Sequence, residues 1–123
     1  MSIENKISVI LPIKSGKAID FKEFFDKCIQ SIRNQGEYLN ELIIVHGSED
    51  YLTNFLNDYE FSGLTVVNEV WNEEPNFAKQ VNRGVELAKS EWCSIAEFDD
   101  EYSNIWFKNA TKYMDIYKDV DAF

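Results

Sequence analysis

The chain has 123 residues, 45% of them hydrophobic and 28% charged, with a formal net charge of −10. That length suits one domain spanning residues 1–123 around one core, and the apolar share excludes wholesale disorder. The acidic balance excludes nucleic-acid binding, which needs a basic face, and docking on an anionic membrane surface.

No apolar run approaches the length of a membrane span. The opening Met1-Ser2-Ile3-Glu4-Asn5-Lys6 carries no signal-peptide pattern. The two cysteines, Cys28 and Cys93, are far apart, form no Cys-x-x-Cys and sit in apolar patterns. They read as reduced core residues, which places the protein in the cytoplasm.

Strand and helix signals alternate along the chain. Ile7-Ser8-Val9-Ile10-Leu11 reads as a buried strand ended by Pro12. Phe21, Phe24, Phe25, Cys28, Ile29 and Ile32 recur at helical spacing, with Asp20 as N-cap. Leu42-Ile43-Ile44-Val45 is a second buried strand, closed by His46-Gly47-Ser48. Leu52, Phe55, Leu56 and Tyr59 mark a second helix capped by Asp50 or Ser48, and Leu64-Thr65-Val66-Val67 a third strand. Pro75 stands where a helix begins, and Phe77, Val81, Val85 and Ala88 form its stripe. Residues 92–98 read as the fourth strand. Trp106, Ala110, Tyr113, Met114 and Tyr117 give a last helix capped by Ser103 or Asn104, and residues 120–123 look like the start of another strand.

This order predicts a mostly parallel α/β sheet with helices on both faces. Ligands in such sheets bind beyond the carboxyl ends of the strands, near a switch in strand order. One of those ends is distinctive. The apolar run through Ile95 and Ala96 stops in Glu97-Phe98-Asp99-Asp100-Glu101, four acids in five residues. Clustered carboxylates at a strand end suit a hard divalent cation, which needs only one or two of them when phosphate oxygens and water complete its shell. Along an extended strand Glu97 and Asp99 share a side and Phe98 takes the other. Such acids also solvate turns and bias helix N-termini, the reading preferred for Glu101.

Four segments, in order and at suitable spacing, resemble glycosyltransferase family 2, whose nucleotide-binding half has a Rossmann-like GT-A fold. They are Ile7-Ser8-Val9-Ile10-Leu11-Pro12, Cys28-Ile29-Gln30-Ser31-Ile32-Arg33-Asn34-Gln35, Glu41-Leu42-Ile43-Ile44-Val45-His46-Gly47-Ser48-Glu49-Asp50, and Asn82-Arg83-Gly84-Val85. The last leads to Glu97-Phe98-Asp99-Asp100 where the family has Asp-x-Asp-Asp. The resemblance implies binding of a nucleotide-diphospho-sugar, a UDP-sugar first among them, with Mn²⁺ or Mg²⁺ as cofactor. It implies metal contacts from Asp99 and Asp100, and a contact from Glu97 to ribose or nucleotide. Pro12, Ile13 and Lys14 would lie beside base and ribose.

Several positions keep two readings. His46 is either a nucleotide contact or a hydrogen-bonded strand-end residue. Lys79 and Arg83, four apart on one helix face, either help neutralise a diphosphate or form a solvated basic face. Asn82 matches the family helix and would bond a neighbouring loop. His46 and Val81 depart from the family pattern, as does the one-methylene-longer Glu97, and the first two leave nucleotide identity open.

The resemblance covers the donor-binding half alone, so the acceptor site and the catalytic base would lie outside this chain. The catalytic residues are therefore unknown, and the chain reads as truncated before the acceptor half. The alternative reading is a degenerate GT-A domain serving as a non-catalytic protein-binding or assembly module. The stripe of Trp106, Tyr113 and Tyr117 is either core or a surface buried by a missing partner half, and if left bare it predicts self-association.

Overall fold

Strand and helix alternate through the chain as the sequence leads one to expect. The elements are β1 (Ile7–Ile13), α1 (Phe21–Arg33), β2 (Leu39–Gly47), α2 (Asp50–Asp58), β3 (Val66–Trp71), α3 (Phe77–Leu87), β4 (Trp92–Ile95) and α4 (Trp106–Ile116). The computed structural model describes residues 6–123, so most of the opening stretch read for a leader pattern lies outside the described residues.

All strand pairs are parallel, and the sheet order is β3-β2-β1-β4. The chain steps outward from β1 through β2 to β3, then returns across the sheet to place β4 against the free side of β1. Strand order therefore reverses between β1 and β4, where loops leaving their carboxyl ends splay apart.

Alternation along β1 builds two unequal cores. Ile7, Val9, Leu11 and Ile13 join Leu42 and Ile44 under Phe21, Phe25, Ile29 and Ile32 of α1, Leu52 and Leu56 of α2, and Phe107 and Met114 of α4. Ile10, Ile43 and Val45 face the other way, beneath α3. There Gly84 lets α3 lie directly on the Ile10 side chain, because a Cβ would be forced into it. At the amino ends of the strands, buried Glu41 accepts hydrogen bonds from Ser8 Oγ at 2.7 Å and from the Lys89 backbone N–H at 2.6 Å. Those bonds tie the α3–β4 connection to the sheet and satisfy a carboxylate that burial would otherwise penalise.

Several boundaries differ from the sequence reading. Pro12 lies within β1, opposite Val45. Ile10 accepts from the Ala96 N–H at 2.9 Å, and the β1–β4 ladder ends at the Ile10–Ile95 pair. Pro12 is the next residue of β1 directed at β4, and it has no N–H to continue that ladder. Residues 96–105 therefore leave the sheet, and β4 is four residues long rather than seven. β3 begins at Val66 and runs on to Trp71.

The expected caps also differ. Asp20 occupies the N-cap of α1 in a left-handed conformation (φ 63°) without a side-chain cap bond. Neither Ser48 nor Asp50 is the N-cap residue of α2, a place taken by Glu49. Ile105 precedes α4, again without a side-chain cap. Residues 120–123 form no strand; Phe123 instead lies 5.6 Å from Trp92, ring to ring, beside the outer edge of β4. Trp106, Tyr113 and Tyr117 stand about half exposed, so this stripe is surface, while Phe107, Thr111 and Met114 form the buried face of α4. Cys28 is fully buried and Cys93 partly so, and both are free thiols.

Candidate donor-binding cleft

A cleft of about 430 Å³ opens at the β1/β4 switch point, lined by Pro12, Lys14, Pro75, Asn76, Phe77, Gln80, Glu97, Phe98 and Asp99. Its floor is the end of β1, one wall is the first turn of α3, and the other is the segment after β4.

The acidic wall is a tight turn. The Asp100 N–H donates to Glu97 O at 2.9 Å, and the Glu97 N–H donates to Asp100 Oδ2 at 2.8 Å. Phe98 anchors the turn by packing on Phe21, with ring centroids 4.9 Å apart. The turn replaces the extended geometry expected for residues 97–99, and it gathers a third acid that an extended strand would have pointed away. Carboxylate oxygens of Glu97, Asp99 and Asp100, all exposed, lie within 4.8 Å of one another. Opposite ligands on Mg²⁺ stand about 4.2 Å apart, so small side-chain rotations bring this set to one ion. Among the described residues none of the three is ion-paired with a lysine or arginine. Three unpaired carboxylates repel one another, and a divalent cation relieves that repulsion. The donor set thus fits a hard metal ion.

The α3 wall is built by reciprocal capping. The Asn76 side chain accepts from the Lys79 N–H at 2.9 Å, and Gln80 Oε1 accepts from the Asn76 N–H at 3.0 Å. Buried Gln80 also donates from Nε2 to Val45 O at 2.9 Å and Ile13 O at 3.2 Å. One side chain so fastens the ends of β1 and β2 to the start of α3. The helix begins at the cleft, with its positive dipole end there.

Of the residues singled out from sequence, Pro12, Lys14, Glu97 and Asp99 line the cleft, and Asp100 completes the turn. Ile13 belongs to the core on the other face of the sheet. His46 is buried, and its Nδ1 lies 2.9 Å from Gly47 O, so that nitrogen carries a proton; it does not line this cleft. Lys79 and Asn82 are exposed on α3 outside the lining. Arg83 is drawn to Glu69 at 2.7 Å and Glu86 at 3.1 Å, away from the cleft. The sequence places residues 68–76 in a segment leaving a strand's carboxyl end without singling out Asn76, gives Gln80 no role, and sets Phe77 in a helical stripe although its ring is exposed on the cleft wall. Asn-x-x-x-Gln after a proline was the available signal.

The loop leaving β1 is held by Glu49, which accepts from the Gly16 N–H at 2.5 Å and from Ser15 Oγ at 3.0 Å. Beneath the acidic turn, burial pushes the Cys28 thiol up from an ordinary 9.0 to about 12, with Asp100, Asp99 and Glu101 adding to the rise. Tyr102 is likewise pushed up to about 12, chiefly by burial.

The sequence profile of glycosyl transferase family 2 matches residues 8–122. The chain belongs to that family. Solved structures share its fold. S. aureus TarS superposes with a TM-score of 0.72 at 18% identity, covering 92% of this chain and 20% of that one. TarS 1–349 in complex with UDP-GlcNAc gives 0.72 at 19% identity, covering 92% and 32%. The same TarS fragment in complex with UDP gives 0.67 at 17%, covering 92% and 33%. The chain thus spans a third or less of these neighbours, and at such identity the likeness is one of fold. No curated protein matches the chain. Among the described residues, no helix is long and apolar enough to cross a membrane.

Proposed function

We propose that this domain binds the nucleotide-diphospho-sugar donor of a family 2 glycosyltransferase in the cleft between Pro12, the first turn of α3 and the acidic turn. The observation that carries this reading is the turn itself: three exposed carboxylates without cationic partners among the described residues, beside a cleft of ligand size at the sheet's switch point. The complexes of structurally similar TarS with UDP and UDP-GlcNAc support a UDP-sugar.

In this reading Asp99 and Asp100 hold Mn²⁺ or Mg²⁺, with Glu97 turned to ribose or to the same ion. The bound ion supplies electrostatic stabilisation of the departing diphosphate. Lys14 adds a positive charge on the cleft floor, and the start of α3 faces the diphosphate with its dipole. Phe77 offers an exposed ring for stacking. Among the described residues the acids lining the cleft are Glu97 and Asp99. Both are assigned to donor and metal in this reading, and the family resemblance implies that the base deprotonating an acceptor hydroxyl lies beyond the metal motif, in the acceptor half. The transferred group is a hexose in this reading. The free thiols of Cys28 and Cys93 suit the cytoplasm.

Calorimetric titration of UDP with and without Mn²⁺, on the wild type and Asp99→Asn, tests the proposal. Binding that needs Mn²⁺ and weakens at least about tenfold in Asp99→Asn is expected. Equal binding with and without metal would remove the cofactor. No binding of UDP, GDP or dTDP would remove the donor site.

A further inference from the structure

Ser31 and Gln35 are buried polar side chains on α1 and just past its end, with no access to the cleft. With Cys28 they lie at i, i+3 and i+7, one face of a helix. That face meets the acidic segment at successive points. The Cys28 thiol donates to Glu97 O at 3.6 Å. Ser31 Oγ donates to Cys28 O at 2.7 Å and accepts from the Tyr102 N–H at 3.1 Å. Gln35 Nε2 donates to Ser31 O at 3.0 Å and Ser103 O at 2.9 Å, while its Oε1 accepts from the Phe107 N–H at 3.0 Å. Two carbonyls and an N–H around one amide leave a single orientation for it.

The segment from Ala96 to α4 has no ladder of its own, because β1–β4 pairing stops at Ile95. Ile105, at the N-cap of α4, makes no side-chain cap bond, and Gln35 satisfies one of the helix's free N–H groups from outside. Glu97, Asp99 and Asp100 are exposed and mutually repulsive, so nothing among themselves keeps them together except the turn's own bonds. Restraint comes from α1, alongside the Ser94–Tyr102 hydroxyl contact at 2.7 Å and the Ala96 N–H bond to Ile10 O.

We propose that Ser31 and Gln35 are positioning residues of the donor site, holding the backbone from Tyr102 to Phe107 so that the Glu97–Asp100 turn is set for metal before any ligand arrives. The inference rests on the metal-dependent reading above. Side chains that orient metal ligands without touching the ion commonly govern affinity by about 10- to 100-fold.

The test uses Ser31→Ala, Gln35→Leu, Ser31→Thr and, as a stability control, Leu56→Ala in α2. Two quantities are read: Mn²⁺ affinity from the free-ion paramagnetic signal, and amide hydrogen exchange at Glu97 and Asp100 in metal-free protein. Neither amide is bonded to Ser31 or Gln35, so faster exchange there reports loosening of the turn at a distance. Ser31→Ala and Gln35→Leu should weaken Mn²⁺ binding about tenfold or more and speed exchange at both amides. Ser31→Thr keeps the hydroxyl and should restore both readings. Leu56→Ala should lower the unfolding midpoint while leaving both unchanged. Unchanged affinity and exchange in Ser31→Ala and Gln35→Leu, or an equal loss in Leu56→Ala, overturns the proposal. If the wild type takes up no Mn²⁺, the metal reading fails and the exchange data alone decide whether α1 holds the turn.

Discussion

Gly47 closes β2 beneath the loop leaving β1, and a Cβ there would be driven into the Lys14 carbonyl. The obstacle is backbone, which cannot swing aside as a side-chain end does. Gly47→Ala must displace Lys14 and with it the cleft floor, at a cost of about 1–3 kcal/mol. Urea unfolding should show that loss, and UDP titration should show weaker binding than the wild type. Full stability with wild-type affinity would mean that the loop has slack. Individual site residues were legible in sequence to different degrees. Glu97, Asp99 and Asp100 stand together in the chain, so their clustering needed no fold to be seen. Gln80 is one polar position in an amphipathic stripe until the sheet brings Ile13 O and Val45 O beneath it. The family resemblance alone sets Ile13 beside Pro12. Strand alternation sends Ile13 to the opposite face from Pro12.

At the scale of elements, α3 forms a wall of the cleft because its start is fixed by Asn76 and Gln80 together. Asn76→Ala removes the acceptor for the Lys79 N–H and should cost about 1 kcal/mol, within a usual range of about 0.5–2. Denaturant unfolding measures it, and Asn76→Asp, which retains an acceptor, should recover most of the loss. An Ala variant as stable as the wild type would show that Gln80 alone holds the helix start. The four strands and four α-helices were legible in order, because each carries its own apolar period, whereas the short 3-10 helix at Gly36–Tyr38 was not. Their ends were not, for non-local reasons. β4 stops where Pro12, some eighty positions earlier, has no N–H to offer. β3 continues through Asn68 and Glu69 because pairing with β2 at the sheet edge tolerates polar residues facing water. The start of α4 is satisfied by Gln35, seventy-two positions away, which no local cap signal reveals.

The molecule as a whole carries a net charge of −10, and its acidic turn sits over a buried thiol, Cys28, and a partly buried phenol, Tyr102. Cys28 is held protonated up to about 12 against an ordinary 9.0, first by burial and then by the carboxylates above it. Tyr102 is held to about 12 against 10.0, first by burial. The unfolded chain releases these protons near the ordinary values while the folded chain retains them. Above about pH 9 the unfolded state therefore binds fewer protons than the native state, and stability falls as pH rises. The contribution is level below pH 9 and declines through the interval to about 12. Tyr59, raised by burial and its bond to Asp26, extends the decline at its upper end. Urea midpoints taken from pH 7 to 11 should be flat to about 9 and then drop. Cys28→Ala and Tyr102→Phe should each start from a different midpoint, yet show a shallower drop, because one titrating group is gone. The slope is the diagnostic quantity, since a lost contact lowers the whole curve without tilting it. A wild-type slope in both variants would assign the alkaline loss to general repulsion in an acidic protein.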